Sequence, residues 1–256
     1  MLGLGGPTTP AAYAVVIPAH NEELLVRPCL EAVRRALART GVPSTIVLVA
    51  HRCTDRTASV ARELLTEPGE IVLLDDSPSV ATARAAGAAL AVTALMNRSG
   101  PIPAPARCWL LSTDADSEVP STWVADLRRH IDQGVAAVAG LVQVHGWEGA
   151  SPAARDAYRA VLAAGMRMTH HEHAYAANLA VRLDAYLDVG GWPDQVPGED
   201  AALLAALRTR GWPVVGARDV WVRTSGRRSP RAGGGLGSLL DRLATEGMAA
   251  PALDAG

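Results

Sequence analysis

The chain is 256 residues long with a formal net charge of -2, and 49% of it is hydrophobic against 20% charged. That size suits one large or two small domains burying about three quarters of the unfolded surface, and the balance excludes a disordered chain, a polyanion partner such as nucleic acid, and a membrane-seeking surface. Cys29, Cys53 and Cys108 lie far apart without a C-x-x-C pair, which argues against a disulfide framework or a structural zinc site and fits a reducing cytoplasm.

After a Gly/Pro/Thr start, expected to be flexible over residues 1–12, Ala14, Val15, Val16 and Ile17 read as a buried strand stopped by Pro18. Residues 22–40 carry Leu30, Val33 and Leu37 at helical spacing. Residues 46–49 give a second strand, 57–65 a helix, 71–74 a third strand and 79–96 an Ala-rich helix. Near-continuous apolar strands alternating with helices predict an α/β fold with a mostly parallel central sheet flanked by helices, and right-handed crossovers then align the strand ends along one edge. Ligands of such sheets sit outside the carboxyl ends of the strands.

A proline-rich surface connection over 100–105 leads to a fourth strand, 108–112, which delivers Asp114 and Asp116 to that edge. Beyond it come a helix over 121–131, a strand over 135–144 and a helix over 152–168. A Gly190-Gly191 turn precedes Gly198-Glu199-Asp200, which opens a helix over 201–210 and puts Asp200 where a helix N-terminus favours a carboxylate. The Arg/Gly-rich stretch 223–237 reads as mobile and cationic, ahead of a last helix over 236–246. The longest apolar stretches, such as 13–19 and 135–144, fall short of the ~20 residues a membrane helix needs, and the N-terminus has no basic region followed by an apolar one. A soluble, cytoplasmic protein without an integral membrane segment is expected.

The strand ending in Asp114-Ala115-Asp116 carries the most chemical information. Carboxylates at that spacing aim one group at a ligand and the other at a divalent cation, which takes hard oxygen ligands and keeps sites for phosphate oxygens; an Asx-rich turn capping the next helix is the competing reading. At the end of the first strand, Asn21 reads as a helix cap and Glu22 as a first-turn acid. Asp55 suits the cap of the helix from 57, and Arg84 reaches a phosphate in the crevice or is solvated.

Together these pieces resemble the family 2 glycosyltransferases of the GT-A fold. The resemblance rests on Val15-Val16-Ile17-Pro18-Ala19-His20-Asn21-Glu22-Glu23, Cys53-Thr54-Asp55-Arg56-Thr57, Ala83-Arg84-Ala85-Ala86-Gly87, Asp114-Ala115-Asp116, Asn178-Leu179-Ala180-Val181-Arg182, Gly190-Gly191-Trp192-Pro193 and Gly198-Glu199-Asp200, which follow the family's order over residues 13–230. It implies inverting transfer of a sugar from a nucleotide-diphospho-sugar to an acceptor hydroxyl, the acceptor being a small molecule or a lipid-linked intermediate. By position it implies that Pro18, Ala19 and Glu22 line the nucleotide pocket, Arg84 approaches the diphosphate, Asp114 and Ala115 face the nucleoside or sugar, and Asp116 holds Mn2+ or Mg2+. Asp200 would be the general base. Residues 13–117 would then form the nucleotide-binding half of a single domain and 118–222 the acceptor-binding half, with 223–256 a lid and terminal helix.

One departure concerns the second strand, where many relatives carry an acidic pair and this chain has Ala50-His51-Arg52. His51 contacts a base or ribose, or is an ordinary polar loop residue. The cluster His170-His171-Glu172-His173 lacks the helical i, i+4 spacing of zinc hydrolase sites and reads as a polar loop, with His173, Asn178 and Glu199 candidates for the acceptor side. Arg227 belongs to a segment whose guanidinium groups suit diphosphate oxygens and whose glycines would let it close over a donor. Two other readings stay open: a sugar-phosphate nucleotidyltransferase, against which the missing glycine-rich loop after the first strand speaks, and a non-catalytic nucleotide-sugar binding protein.

Overall fold

The computed structural model of the chain describes residues 9–96, 103–147, 150–195, 197–227 and 235–248. Strand β1 (Ala12–Ala19) turns Tyr13, Val15, Ile17 and Ala19 toward one face and Ala12, Ala14 and Val16 toward the other, the period-2 alternation of a strand buried on both sides. It runs through Pro18 instead of stopping there. Its neighbour β4 leaves the ladder at Ser112, opposite Val16, so Pro18 lies past the end of that pairing, where a missing N–H is tolerated.

Helix α1 (Val26–Ala38) begins four residues later than the sequence pattern suggests, because residues 22–25 form a turn in which the Leu25 and Val26 amides both bond to the Glu22 carbonyl. Its buried Val26, Cys29, Leu30, Val33 and Leu37 recur at helical spacing. Strand β2 (Ser44–His51), helix α2 (Thr57–Leu64), strand β3 (Glu70–Asp75) and helix α3 (Val80–Met96) complete the first half. Gly87 lets α3 lie close on the sheet: a Cβ there would fall 2.5 Å from Val49 and 2.8 Å from Val16. One turn earlier, that approach brings Arg84 to the strand ends.

Then follow β4 (Cys108–Ser112), the short β5 (Ser117–Glu118), α4 (Trp123–Ile131), β6 (Ala137–His145), α5 (Pro152–Ala164), β7 (Leu179–Arg182), α6 (Leu183–Asp188), α7 (Glu199–Thr209), β8 (Val214–Ser225) and α8 (Gly235–Met248). The eight strands form one sheet in the order β3-β2-β1-β4-β7-β6-β8-β5. It is parallel from β3 through β4 and between β6 and β8, and antiparallel where β7 joins β4 and β6 and where β5 joins β8. Helices α1, α2 and α4 cover one face, while α3, α6 and α7 cover the other. Each fully buried Leu, Ile or Val in these layers stabilises the fold by about 1.5–3 kcal/mol. A third, smaller apolar cluster pairs α5 with α8 around Trp147 and Tyr158.

Several boundaries differ from the sequence reading. Helix α5 stops at Ala164, so residues 165–168 leave the helix expected over 152–168. The stretch from Arg223, expected to be mobile, is strand as far as Ser225, held by β6 and β5. Within the expected flexible start, the Ala11 amide bonds to the Arg107 carbonyl and Ala12 opens β1. Residues 1–8, half of the proline-rich connection (residues 100–102) and parts of the expected lid and terminal helix (228–234 and 249–256) lie outside the described residues. Among the described residues, no helix is long and apolar enough to cross a membrane.

Candidate active site

Side-chain contacts join the carboxyl ends of β1 and β4 to the start of α7 and to Arg227 just past β8, and Asn21 ties the loop after β2 to this group. At the β4 end, Ala115 turns inward to the core at 2% exposure, while Asp114 and Asp116 on either side of it meet Arg84 and Arg227. Ala115 can therefore meet a ligand only through its backbone. Arg84 binds the cluster together: Nη1 donates to Ser112 Oγ at 2.6 Å, Nη2 donates to Asp114 Oδ1 at 2.9 Å, and Nη2 stands 3.9 Å from Glu199 Oε1. Its guanidinium also lies 5.3 Å from the Trp192 ring centroid, a cation–π geometry. With Arg84 at 2% exposure, the solvated alternative for this side chain falls away.

Gly198 starts α7 at φ +100°, a left-handed conformation that a residue with a side chain adopts only under strain. That bend places Glu199 and Asp200 in the first turn. Asp200 Oδ1 accepts from the Ala201 amide at 2.7 Å and Oδ2 from the Ala176 amide at 3.0 Å. Burial pushes its pKa up against those two bonds and the Arg84 charge, and burial likewise raises that of Glu199. Tyr175 lies beside Asp200, and His173 stacks on Tyr175 with centroids 5.7 Å apart while its Nε2 meets the Leu162 carbonyl at 2.9 Å. His173 is thus wedged between the end of α5 and the wall of the Asp200 side.

Asp116 has a different environment. Its carbonyl accepts from the Ser225 amide at 3.2 Å, and Ser117 and Thr224, register partners in β5 and β8, share a 2.9 Å hydroxyl hydrogen bond beside Oδ1. Oδ2 faces Arg227, whose Nη2 donates to it at 3.0 Å and also to Glu22 Oε1, while Nη1 donates to Glu22 Oε2 at 2.6 Å. Burial, with Asp114 and Glu22 adding repulsion, pushes the Asp116 pKa up to about 7 even though Arg227 opposes the shift. Two carboxylates thus meet on one cationic nitrogen. Oxygen donors of this kind suit Mn2+ or Mg2+, whose remaining positions phosphate oxygens and water can fill. Among the described residues, no three His, Cys, Asp or Glu side chains gather at a single point.

At the β1–β2 end, Pro18 and Ala19 are buried within the strand. Glu22 is buried before α1 and is not a first-turn acid. Asn21 does not cap α1 either: at φ 56° its Oδ1 accepts from the Thr54 and Asp55 amides, tying the loop after β1 to the loop after β2. Asp55 accepts from the Thr57 amide at 2.9 Å and so supports the start of α2. His51 is buried against Asp75 at 3.5 Å, and its pKa is lowered, mainly by burial.

Asn178 does not reach the acceptor side. At 0% exposure its Nδ2 donates to the Leu141 and Val220 carbonyls, and its Oδ1 accepts from Trp123 Nε1. It is an internal tie between β6, β8 and α4. His170, His171 and Glu172 line a separate cleft with Arg208 and Gly216. Sequence reasoning missed Ser112, Trp192, Asp75 and Tyr175 as parts of the site; Trp192 stands in a quoted motif, but only the fold shows that it faces Arg84.

The family model described as "Glycosyl transferase family 2" matches residues 14–185. Among solved structures, the fold is similar to that of a mannosyltransferase from Pyrobaculum calidifontis in complex with GDP-Man and Mn2+ (TM-score 0.61, 19% identity, 87% of this chain and 59% of that one). GalNAc-T7 with UDP, GalNAc and Mn2+ is similar at TM-score 0.60 and 17% identity, over 92% of this chain and 48% of that one. S. aureus TarS 1-349 is similar at TM-score 0.57 and 12% identity, over 84% of this chain and 60% of that one. The chain thus spans about half to three fifths of the length of these structures. No curated protein sequence matches it.

Proposed function

Because the chain belongs to glycosyl transferase family 2, we propose that it transfers a sugar from a nucleotide-diphospho-sugar to an acceptor hydroxyl with inversion, with Asp200 as the general base. The observation that supports this reading is the Arg84 bridge, which ties the Asp114 turn to Glu199, the neighbour of Asp200 at the start of α7.

In the proposed reaction Asp200 takes the proton of the acceptor hydroxyl as that oxygen attacks the anomeric carbon, and the bond from that carbon to the diphosphate oxygen breaks. The electron pair leaves with the nucleoside diphosphate. A base works best with a pKa near the operating pH, and burial moves Asp200 in that direction. Mn2+ or Mg2+ bound through Asp116 would offset charge on the departing diphosphate. Arg84 orients Asp114 toward the nucleoside or sugar, and the Pro18–Glu22 segment with His51 forms the nucleotide side. Residues 13–117 are proposed as the donor-binding half and 118–222 as the acceptor half, with His173 and Glu199 on the acceptor side and a small hydroxylated or lipid-linked acceptor. The GDP-Man and UDP complexes of the fold's neighbours make uridine and guanosine diphospho-sugars the first donors to try.

The test is thermal stabilisation by UDP-, GDP- and dTDP-sugars with Mn2+, followed by an assay for donor cleavage. A donor at 100 times its Kd should stabilise the fold by about 2.7 kcal/mol, and Asp116→Ala should lose the metal-dependent part. A donor that binds and is never cleaved with any acceptor would support the non-catalytic alternative; release of pyrophosphate from a nucleoside triphosphate and a sugar phosphate would support the nucleotidyltransferase.

A further inference from the structure

Arg227 Nη2 is within hydrogen-bond reach of one oxygen of Glu22 and one of Asp116, so the space it fills is bounded by two carboxylates that start 94 residues apart in the chain. Neither carboxylate arrives there by accident of a mobile loop. Asp116 is fixed by the Ser225 amide on its carbonyl, and Ser117 and Thr224 crowd its Oδ1, which turns Oδ2 toward the guanidinium. Glu22 is 5% exposed, and its amide donates to Thr57 Oγ1 at 2.7 Å. Arg227 itself follows directly from β8, with the Gly226 amide bonded to the His145 carbonyl.

A buried anion pair needs a cation, since each uncompensated charge in such surroundings costs several kcal/mol. We propose that Glu22 and Asp116 together form the divalent-cation site and that Arg227 is its alternate occupant: the ion and the guanidinium exclude each other, so cation entry expels Arg227 from between the two carboxylates. The inference rests on the reading of Asp116 as a cation ligand and adds Glu22 to it. It also gives Arg227 a second role, because a guanidinium released beside a metal-bound diphosphate is free to pair with phosphate oxygens, its preferred bidentate partners. One guanidinium leaves the ionised pair one positive charge short, whereas a divalent cation balances it, so loading completes the compensation that Arg227 begins.

The experiment titrates the whole chain with Mn2+ alone, without nucleotide, following free Mn2+ by electron paramagnetic resonance. Arg227→Met should bind Mn2+ at least about tenfold more tightly than the wild type, a change of about 1.4 kcal/mol, and adding either Glu22→Gln or Asp116→Asn to Arg227→Met should remove the gain. Equal affinity in wild type and Arg227→Met overturns the exclusion; a gain that survives Glu22→Gln overturns the ligand role of Glu22. The wild type supplies a second readout that depends on no variant folding. Mn2+ alone should raise the rate at which trypsin cleaves after Arg227, because a guanidinium held by two carboxylates cannot enter the protease pocket. An unchanged rate at saturating Mn2+ counts against the proposal. These measurements use no donor, so a failure of the transferase reading would appear separately, as Mn2+ exchange at Arg227 in a protein that cleaves no nucleotide-sugar.

Discussion

Asp200 combines two properties a base needs: both oxygens are oriented by backbone amides, and burial raises its proton affinity. Replacing it with Asn preserves size and one of the two amide hydrogen bonds, turns the other oxygen into a donor that faces a backbone N–H, and removes the capacity to take a proton. Asp200→Asn should therefore keep donor affinity within about twofold and lose about 10²–10⁴ in turnover; turnover near that of the wild type would remove Asp200 from the mechanism. Asp116 makes a separate prediction. Its pKa is raised to about 7, mainly by burial, and in the proposed role of metal ligand it must be ionised. Mn2+ affinity should climb as pH rises from 6 to 8 and flatten above that, which a titration at each pH would check; affinity independent of pH over this range would mean that Asp116 is already fully ionised. At this scale the sequence was informative about identity and uninformative about pairing. Asp114, Asp116 and Asp200 stand out by spacing and by position at element ends. Nothing local to Arg227 reveals that it meets Glu22, 205 residues away, or that Asn178 turns into the core.

Among the elements, those with continuous apolar runs were legible: β1 through β4, and the helices between them, follow from period 2 and period 3.6 alone. The exceptions share a cause. Strand β7 is only four residues long, and β8 is broken by Gly216, Arg218 and Asp219, where its register against β6 shifts. Both exist because distant strands pair with them, a term that no local pattern contains. Asn178, just before β7, is one of the fasteners of that junction. Asn178→Ala would strand the Trp123 Nε1 donor and leave the Leu141 and Val220 carbonyls without its amide, and each buried polar group left unpaired costs about 1–3 kcal/mol. A loss of about 3 kcal/mol or more in urea unfolding is expected, with the donor KM of the folded fraction unchanged. A stable variant with a raised KM would return Asn178 to the binding surface.

The whole molecule shares one sheet between its two large cores, so a strain placed on one face should register in global unfolding. His171 provides such a strain. It is 1% exposed beneath β8, its backbone amide bonds to the Gly216 carbonyl, and burial, with the neighbouring His173, pushes its pKa down to about 4 from the usual 6.5. Between those two values the unfolded chain binds a proton at this position and the folded chain does not. The contribution of a neutral His171 is therefore complete above pH 6.5 and is lost progressively as pH falls toward 4, by about 3 kcal/mol at most. Other groups move with pH in the same range. Asp116, Asp200 and Glu199 have raised values and favour the fold as pH falls, whereas Asp75 and Asp219 are held low and matter only below the ordinary carboxylate range. Comparing the wild type with His171→Gln at each pH cancels these shared terms, and it also separates titration from any pH-independent cost of the substitution. Urea midpoints should show the stability advantage of the wild type over His171→Gln shrinking steadily from pH 7 to pH 4. Two curves that stay parallel over that interval would mean that the ring already carries a proton in the fold, or that it opens to water without disturbing the sheet.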